Sequence, residues 1–364
     1  MSPEPLPAVS PASPIRDAIQ AIESGLKGIA IVVSEDGKLV GTITDGDVRR
    51  AMLASVNLDA PLQVLLDRKL GMSTERPITA TVGTSDAQLL HLMQKHEIRQ
   101  LPILDHGGRV VEIVHLDDLA PNDRVPVQAV IMAGGFGKRL RPLTDDTPKP
   151  MLPVGDRPLI EHVVGQLRAA GIRNVNISTY YLREKIVDHF GDGRKFGVNV
   201  QYLQEHRPLG TAGSLGLLHS SNEPLLVTNG DILTSVNYRS MWNFHCKHQS
   251  TLTVATRKYR IQVPYGVVTH VDASITGLTE KPAFDFFVNA GIYLLDPYAV
   301  QLIPRDMDGD EQFHMTDLIT RLIEQGRSVV NFPLHEYWLD IGELGDYQRA
   351  QNDVDSGQFV LKAA

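Results

Sequence analysis

The sequence predicts an α/β protein in two parts, a small α+β module made twice and then a domain built on a mainly parallel mixed sheet. Two observations carry this. After about residue 128, short apolar runs alternate with amphipathic helical stripes, the pattern of strands joined by helical crossovers. Before that point, one helix–strand–strand–helix unit occurs twice, with Asp47 and Asp118 in matching places. A chain of 364 residues is also long for one core, so more than one domain is expected.

The elements follow in order. Residues 1–14, MSPEPLPAVSPASP, read as a disordered Pro-rich lead-in and lack the basic start and apolar core of a signal peptide. The first repeat, about 15–64, opens with a helical stripe of Ile15, Ala18, Ile19 and Ile22 closed by Gly25. Strands Ile29–Val33 and Leu39–Ile43 turn at Glu35-Asp36-Gly37, and the next helix opens at Thr44-Asp45-Gly46-Asp47. The second repeat, about 72–119, has Ser85 and Gln88 as a capping box, strands Leu101–Leu104 and Arg109–Val114, and a close at 115–119. Residues 120–127 read as a linker, and 128–364 as the second domain. There, Leu159 to Ala170 form a helix, and Val175–Ser178, Val198–Leu203, Leu225–Val227, Leu252–Thr256, Tyr265–Val268 and Ala290–Leu295 form strands. A helix follows Gly342.

Composition excludes several classes. Hydrophobic content of 42%, charged content of 21% and a net charge of −8 describe an ordinary globular chain, not a nucleic-acid or membrane-surface binder. Cys246 is the single cysteine, so no internal disulfide exists, and no apolar run is long enough for a bilayer. A reducing, cytoplasmic setting is expected.

The richest stretch is residues 130–153, VIMAGGFGKRLRPLTDDTPKPMLP. An apolar run ends at Ala133 and meets Gly134, Gly135 and Gly137, followed by Lys138, Arg139, Arg141 and then Lys149. Glycines let a backbone approach a polyphosphate, and exposed N–H groups accept its oxygens. Crowded cations repel each other unless an anion joins them. The spacing is not that of a Walker A loop, and Leu140 stands where a dinucleotide fingerprint needs its third glycine. Two further carboxylates sit at strand ends: Asp231 after Leu225-Leu226-Val227 and Asn229-Gly230, and Asp340 after Tyr337-Trp338-Leu339. Ligands bind at that edge of an open α/β sheet. His245, His248 and His314 show no metal-ligand spacing and read as surface or packing residues.

The string A-G-G-x-G-K-R-L-x-P-L-T with K-P-M-L-P resembles the signature of the sugar-1-phosphate nucleotidyltransferases, and the likeness runs from about Gln128 to Asn352. It implies a Rossmann-like fold and in-line attack of a sugar phosphate on the α-phosphorus of an NTP, with pyrophosphate leaving. Arg139 would hold the departing phosphates and Lys149 would bridge the α-phosphate and the sugar phosphate; Asp231 and Asp340 match the family's Mg2+-binding aspartates. Ala133, Gly134, Gly135, Gly137, Lys138, Glu205, Gly210 and Thr211 would hold the nucleotide. Glu205 stands where members place a base-reading group. A carboxylate accepts the paired N–H donors of guanine and is repelled by a uracil or thymine carbonyl, which favours GTP. Gly266, Glu280, Lys281, Asn289 and Tyr293 would form the sugar-phosphate side, for a hexosamine, hexose or heptose 1-phosphate, with glucosamine 1-phosphate favoured.

The repeated module resembles a CBS-domain pair. The likeness implies an adenine nucleotide regulating the enzyme, with Thr44 at phosphate, Asp47 at ribose, and Asp118 in the second copy; a dimerisation module is the alternative. A homo-oligomer, dimer or tetramer, is expected. Rival readings are a uridylyl- or thymidylyltransferase acting on glucose 1-phosphate, or a non-catalytic sensor of nucleotide sugars.

Overall fold

The computed structural model describes residues 6, 8–24, 28–71, 76–119, 125–218, 222–307 and 309–359. The chain divides into two units, Met1–Arg124 and Val125–Ala364. In the first, β1 (Ala8–Val9), α1 (Ile15–Ser24), β2 (Ile29–Val33), β3 (Leu39–Thr44), α2 (Asp45–Leu53) and α3 (Gln63–Asp67) form one copy. Ile15, Ala18 and Ile22 of α1 are buried against Ala30, Val32, Ile43 and Val48, as the stripe predicts. Gly25 lies outside the described residues.

The lead-in expectation needs correction. Ala8–Val9 pairs in parallel with Ile31–Val32 and supplies the copy's leading strand, and Pro14 makes an isolated bridge to Pro61. Proline tolerates an edge position because the missing N–H faces away from the ladder. The second copy repeats the plan with β4 (Ala80–Thr81), α4 (Asp86–Lys95), β5 (Gln100–Leu104), β6 (Val110–His115) and α5 (Leu116–Leu119), in the order β4-β5-β6. The Ser85–Gln88 capping box is present, and Ile29 and Ile31 pack with Ile113 across the copies.

The second unit begins before residue 128. Val125 and Val127 of the expected linker are buried in its core. Its elements are β7 (Gln128–Met132), β8 (Pro153–Val154), β9 (Arg157–Pro158), α6 (Leu159–Ala169), β10 (Asn174–Thr179), α7 (Arg183–Phe190), β11 (Asn199–Gln204), β12 (Leu225–Asn229) and β13 (Ile232–Thr234). Then come α8 (Tyr238–His248), β14 (Leu252–Gln262), β15 (Val267–Val271), β16 (Ser274–Thr279), β17 (Ala283–Leu295), α9 (Pro297–Gln301), α10 (Met315–Glu324), β18 (Val329–Leu334), β19 (Trp338–Asp340) and α11 (Leu344–Asp355). The main sheet runs β11-β10-β7-β12-β17-β14-β18, with β17 antiparallel to both neighbours and every other pair parallel. Val130, Ile131 and Val227 are fully buried because both faces of these strands are covered.

β14 and β17 extend well beyond the expected strands as a two-stranded ribbon, pairing out to Gln262 and Ala283. Tyr259, Ile261, Phe284 and Phe286 share one face by the ladder register and are 45–55% exposed. Arg260 and Lys258 pair with Asp285 on the other face. Among the described residues, no helix is long and apolar enough to cross a membrane.

Candidate active site

Strands β7, β10, β11 and β12 run parallel, so their carboxyl ends emerge at one edge of the sheet. This places Ala133, Tyr180, Glu205 and Asp231 together although they are far apart in sequence. A cavity of about 260 Å3 opens there, lined by Gly134, Gly135, Lys149, Glu205, Thr211 and Asp231 among others.

Two glycines of the loop are required by their surroundings. A Cβ on Gly134 would lie 2.8 Å from a Glu205 carboxylate oxygen and 3.3 Å from Tyr180 Cβ. Gly137 has a φ of +61°, and its Cβ would lie 3.0 Å from Lys149 Cβ and Thr144 Cγ2. Thr144 Oγ1 donates to the Gly137 carbonyl at 2.9 Å, which ties the loop to the segment carrying Lys149. Ala133 is buried beneath the loop, and Gly135 stands open.

The four cations separate. Lys149 is buried and lines the cavity. Lys138 is exposed over the Phe136 ring, 5.2 Å from its centroid, and Arg141 pairs with Asp145 at 3.2 Å. The exposed Arg139 guanidinium lies beside Gly342, whose Cβ would sit 3.6 Å from it.

Asp231 and Asp340 are brought together by a small clasp. β13 pairs antiparallel with β19, placing Ile232 opposite Asp340, and Ile341 N donates to Asp231 O at 3.1 Å. Lys149 Nζ meets Asp231 Oδ2 at 2.5 Å. Asp231 Oδ1 is buried without a hydrogen-bond partner. Although the Asp340 residue is exposed, partial desolvation of its carboxyl holds it above the usual range, the Asp231 and Asp346 charges push it the same way, and Lys149 and Arg139 oppose them. Two carboxylates on adjoining strands, one with a buried oxygen that has no partner, fit a divalent cation of the Mg2+ kind.

The opposite wall is stitched from two segments. Ala212 and Gly213 N–H both donate to the Phe313 carbonyl at 2.9 Å, and Met315 N donates to Thr211 Oγ1 at 3.0 Å. Gly210, at φ +87°, would bring a Cβ to 2.6 Å from Phe313 O. Glu205 is buried; its Oε1 accepts from Ser178 Oγ and its Oε2 from Leu209 N at 3.2 Å. Burial raises its carboxyl above the ordinary range, and those two donors offset part of that rise. Sequence reasoning missed Ser178, Gln312 and His314. His314, read as a surface or packing residue, lines the cavity with Gln312. His245 does pack: it bonds Thr253 at 2.8 Å, and burial pushes its ring down to about 4.

The profile of the nucleotidyl transferase family matches residues 128–357. The chain belongs to that family. The CBS-domain profile matches residues 1–54 and 68–121. A mannose-1-phosphate guanyltransferase of Yarrowia lipolytica is 33% identical over 231 residues, covering 61% of this chain and 62% of that protein. One of Pichia angusta is 35% identical over 232 residues, with the same shares. This chain thus spans a little under two thirds of those relatives' length. A solved Bacillus anthracis protein, assigned as a glucose-1-phosphate thymidylyltransferase and bound to sucrose, superimposes with a TM-score of 0.54 at 26% identity. That match covers 65% of this chain and 98% of the other.

In this nucleotidyl transferase the expected sugar-side residues lie outside the cavity lining: Asn289 is in the ribbon, Tyr293 in the main sheet opposite Val227, and Gly266, Glu280 and Lys281 beyond the ribbon's end. A Cβ on Gly266 would lie 3.0 Å from Glu280 Oε2, and Lys281 N donates to Tyr265 O at 3.3 Å. Asn289 Nδ2 donates to the buried Tyr293 hydroxyl at 2.8 Å. In the CBS unit, Asp47 is buried: Oδ2 accepts from Thr44 N and Oγ1, each at 2.9 Å, and meets Lys69 Nζ at 2.6 Å, while Oδ1 takes Arg50. Asp118 caps its own turn, accepting from His115 N at 3.3 Å. The matched aspartates therefore share a capping role, and a ribose contact requires Asp47 to give up partners.

Proposed function

We propose that this chain transfers a guanylyl group from GTP to a hexose 1-phosphate, giving a GDP-sugar and pyrophosphate with Mg2+. The observation that carries this reading is Asp231 at the cavity, with Lys149 on one carboxylate oxygen, the other oxygen unpartnered, and the Asp340 charge felt from the adjoining strand. A bound Mg2+ would neutralise phosphate charge. Lys149 would compensate the charge on the α-phosphate, and Arg139 the charge of the departing pyrophosphate. Such chemistry needs placement and charge compensation rather than a protein nucleophile.

The names of the relatives favour mannose 1-phosphate, which stands beside glucosamine 1-phosphate as the sugar to be tested. The Bacillus anthracis likeness supports the rival reading, thymidylyl transfer to glucose 1-phosphate. Four NTPs, each mixed with several sugar 1-phosphates with and without Mg2+, decide among them by product mass. Pyrophosphate from GTP alone is expected. A chain that releases none from any pair would overturn the proposal.

Regulation by an adenine nucleotide is proposed for the CBS unit on the strength of G-T-I-T-D-G-D, and calorimetric titration of the full chain with ATP and AMP tests it. The apolar face of the ribbon supports self-association. Tyr259, Ile261, Phe284 and Phe286 stand 45–55% exposed on it, a run of large apolar groups of the kind that marks an interface. Sedimentation of the wild type and Phe286→Asp tests this: a dimer that the variant splits is expected, and a wild-type monomer would refute it.

A further inference from the structure

His314 has a fixed orientation and a defined donor. Its backbone N–H is held by Asp317 Oδ2 at 2.7 Å as the cap of α10, and the residues on either side of it are clamped to the 210–213 segment. Its ring Nδ1 accepts from Thr211 N at 3.3 Å. With Nδ1 accepting, the hydrogen of the neutral ring sits on Nε2, a donor on a side chain that lines the same cavity as the Glu205 carboxylate.

A carboxylate acceptor and an imidazole N–H donor in one pocket select among bases by their edges. Guanine carries two adjacent donors, N1–H and the 2-amino group, beside one acceptor, O6. Adenine has an amino group where guanine has O6 and a bare nitrogen at N1. Uracil and thymine have one N–H flanked by two carbonyls, so a second carboxylate oxygen meets a carbonyl. We propose that His314 is a specificity-determining residue that donates from Nε2 to O6 of guanine while Glu205 accepts from N1–H and the 2-amino group on the lone pairs that Ser178 Oγ and Leu209 N leave. This rests on the guanylyl reading above and assigns the discrimination to one named donor.

The test is kcat/KM for GTP, ITP, ATP and UTP with full-length wild type, His314→Asn, His314→Gln and Glu205→Gln. Asparagine can keep the acceptor for Thr211 N but loses the Nε2 donor; glutamine can place an amide N–H near the Nε2 position. His314→Asn is expected to lower kcat/KM about 10- to 100-fold for GTP and ITP, which both carry O6, with the loss in KM rather than kcat. ATP should change little, and His314→Gln should restore part of the loss. Glu205→Gln should narrow the gap between GTP and ITP, which lacks the 2-amino group, and His314→Asn should not.

An unchanged GTP-to-ATP ratio in His314→Asn, equal losses for all four nucleotides, or a wild type that prefers UTP would overturn the inference. A wild type inactive with every NTP would overturn the transferase reading instead. Calorimetric Kd ratios for GTP over ATP in the same proteins would then decide the inference by themselves.

Discussion

Asp47 meets Lys69 at 2.6 Å, and Asp231 meets Lys149 at 2.5 Å. Both lysines are buried. Beyond the ion pair the two sites differ. Asp47 has every oxygen engaged, by the Thr44 cap, Lys69 and Arg50, and Lys69 donates again to Thr42 O at 2.7 Å. Asp231 leaves Oδ1 buried and unpartnered, next to a second carboxylate, Asp340. A buried acceptor with no donor costs about 1–3 kcal/mol, so its persistence calls for an external partner. The comparison separates a structural aspartate from one prepared for a ligand, although the same residue pair marks both.

The largest effect that would break this contrast is on turnover. Asp231→Asn and Lys149→Ala are each expected to lower turnover at least about 100-fold, in line with about 2.7–4 kcal/mol for one removed transition-state contact, with far-UV dichroism unchanged. Near-wild-type pyrophosphate release by either variant would take that residue out of the mechanism. Asp47→Asn should lower stability and leave turnover without added adenylate unchanged. It strands the Lys69 ammonium, and losing one partner of a buried pair costs about 3–5 kcal/mol. Urea melts of the full chain should show that loss, while turnover at 25 °C stays at the wild-type value; an unaltered melt would deny the pair its structural role.

A smaller effect sharpens the comparison from the ligand side. At tenfold excess over its Kd, Mg2+ should stabilise the wild type by about 1.4 kcal/mol and Asp340→Asn by much less. Equal gains would place the cation elsewhere.

The smallest effect is one of pH. Burial raises the Glu205 carboxyl, so the folded protein holds that proton more tightly than the unfolded chain does. Stability from Glu205 is therefore fully present below the ordinary carboxylate value and is lost as pH rises through the raised one. Glu205→Gln lacks this loss and should gain on the wild type between pH 4 and pH 7 in urea midpoints. A constant difference across that range would contradict the assignment.

The parts of the site written as local grammar were legible in the sequence. Glycines before cations gave the loop, and apolar runs ending in carboxylates gave Asp231 and Asp340, because a strand end fixes where its last side chain emerges. The strand cores were legible for the same reason. The extension of β14 past Thr256 was not, since Lys258-Tyr259-Arg260-Ile261 alternates charge with apolar bulk and lies outside any core. His314 was invisible because its role comes from Thr211, about a hundred residues earlier, and only the stitched wall puts the two together. The proline-rich start hid β1 because two residues of edge strand leave no periodicity to read.

The clasp of β13 and β19 also sets an order on the making of the site. Leu233, Leu339 and Ile341 share one apolar cluster with Leu140 and Leu152, so the loop and both carboxylate strands consolidate around the same nucleus. A polypeptide halted before Trp338 already carries Lys149 and Asp231 but lacks the strand that delivers Asp340. Competence for the proposed cation would thus wait until that last strand has been made.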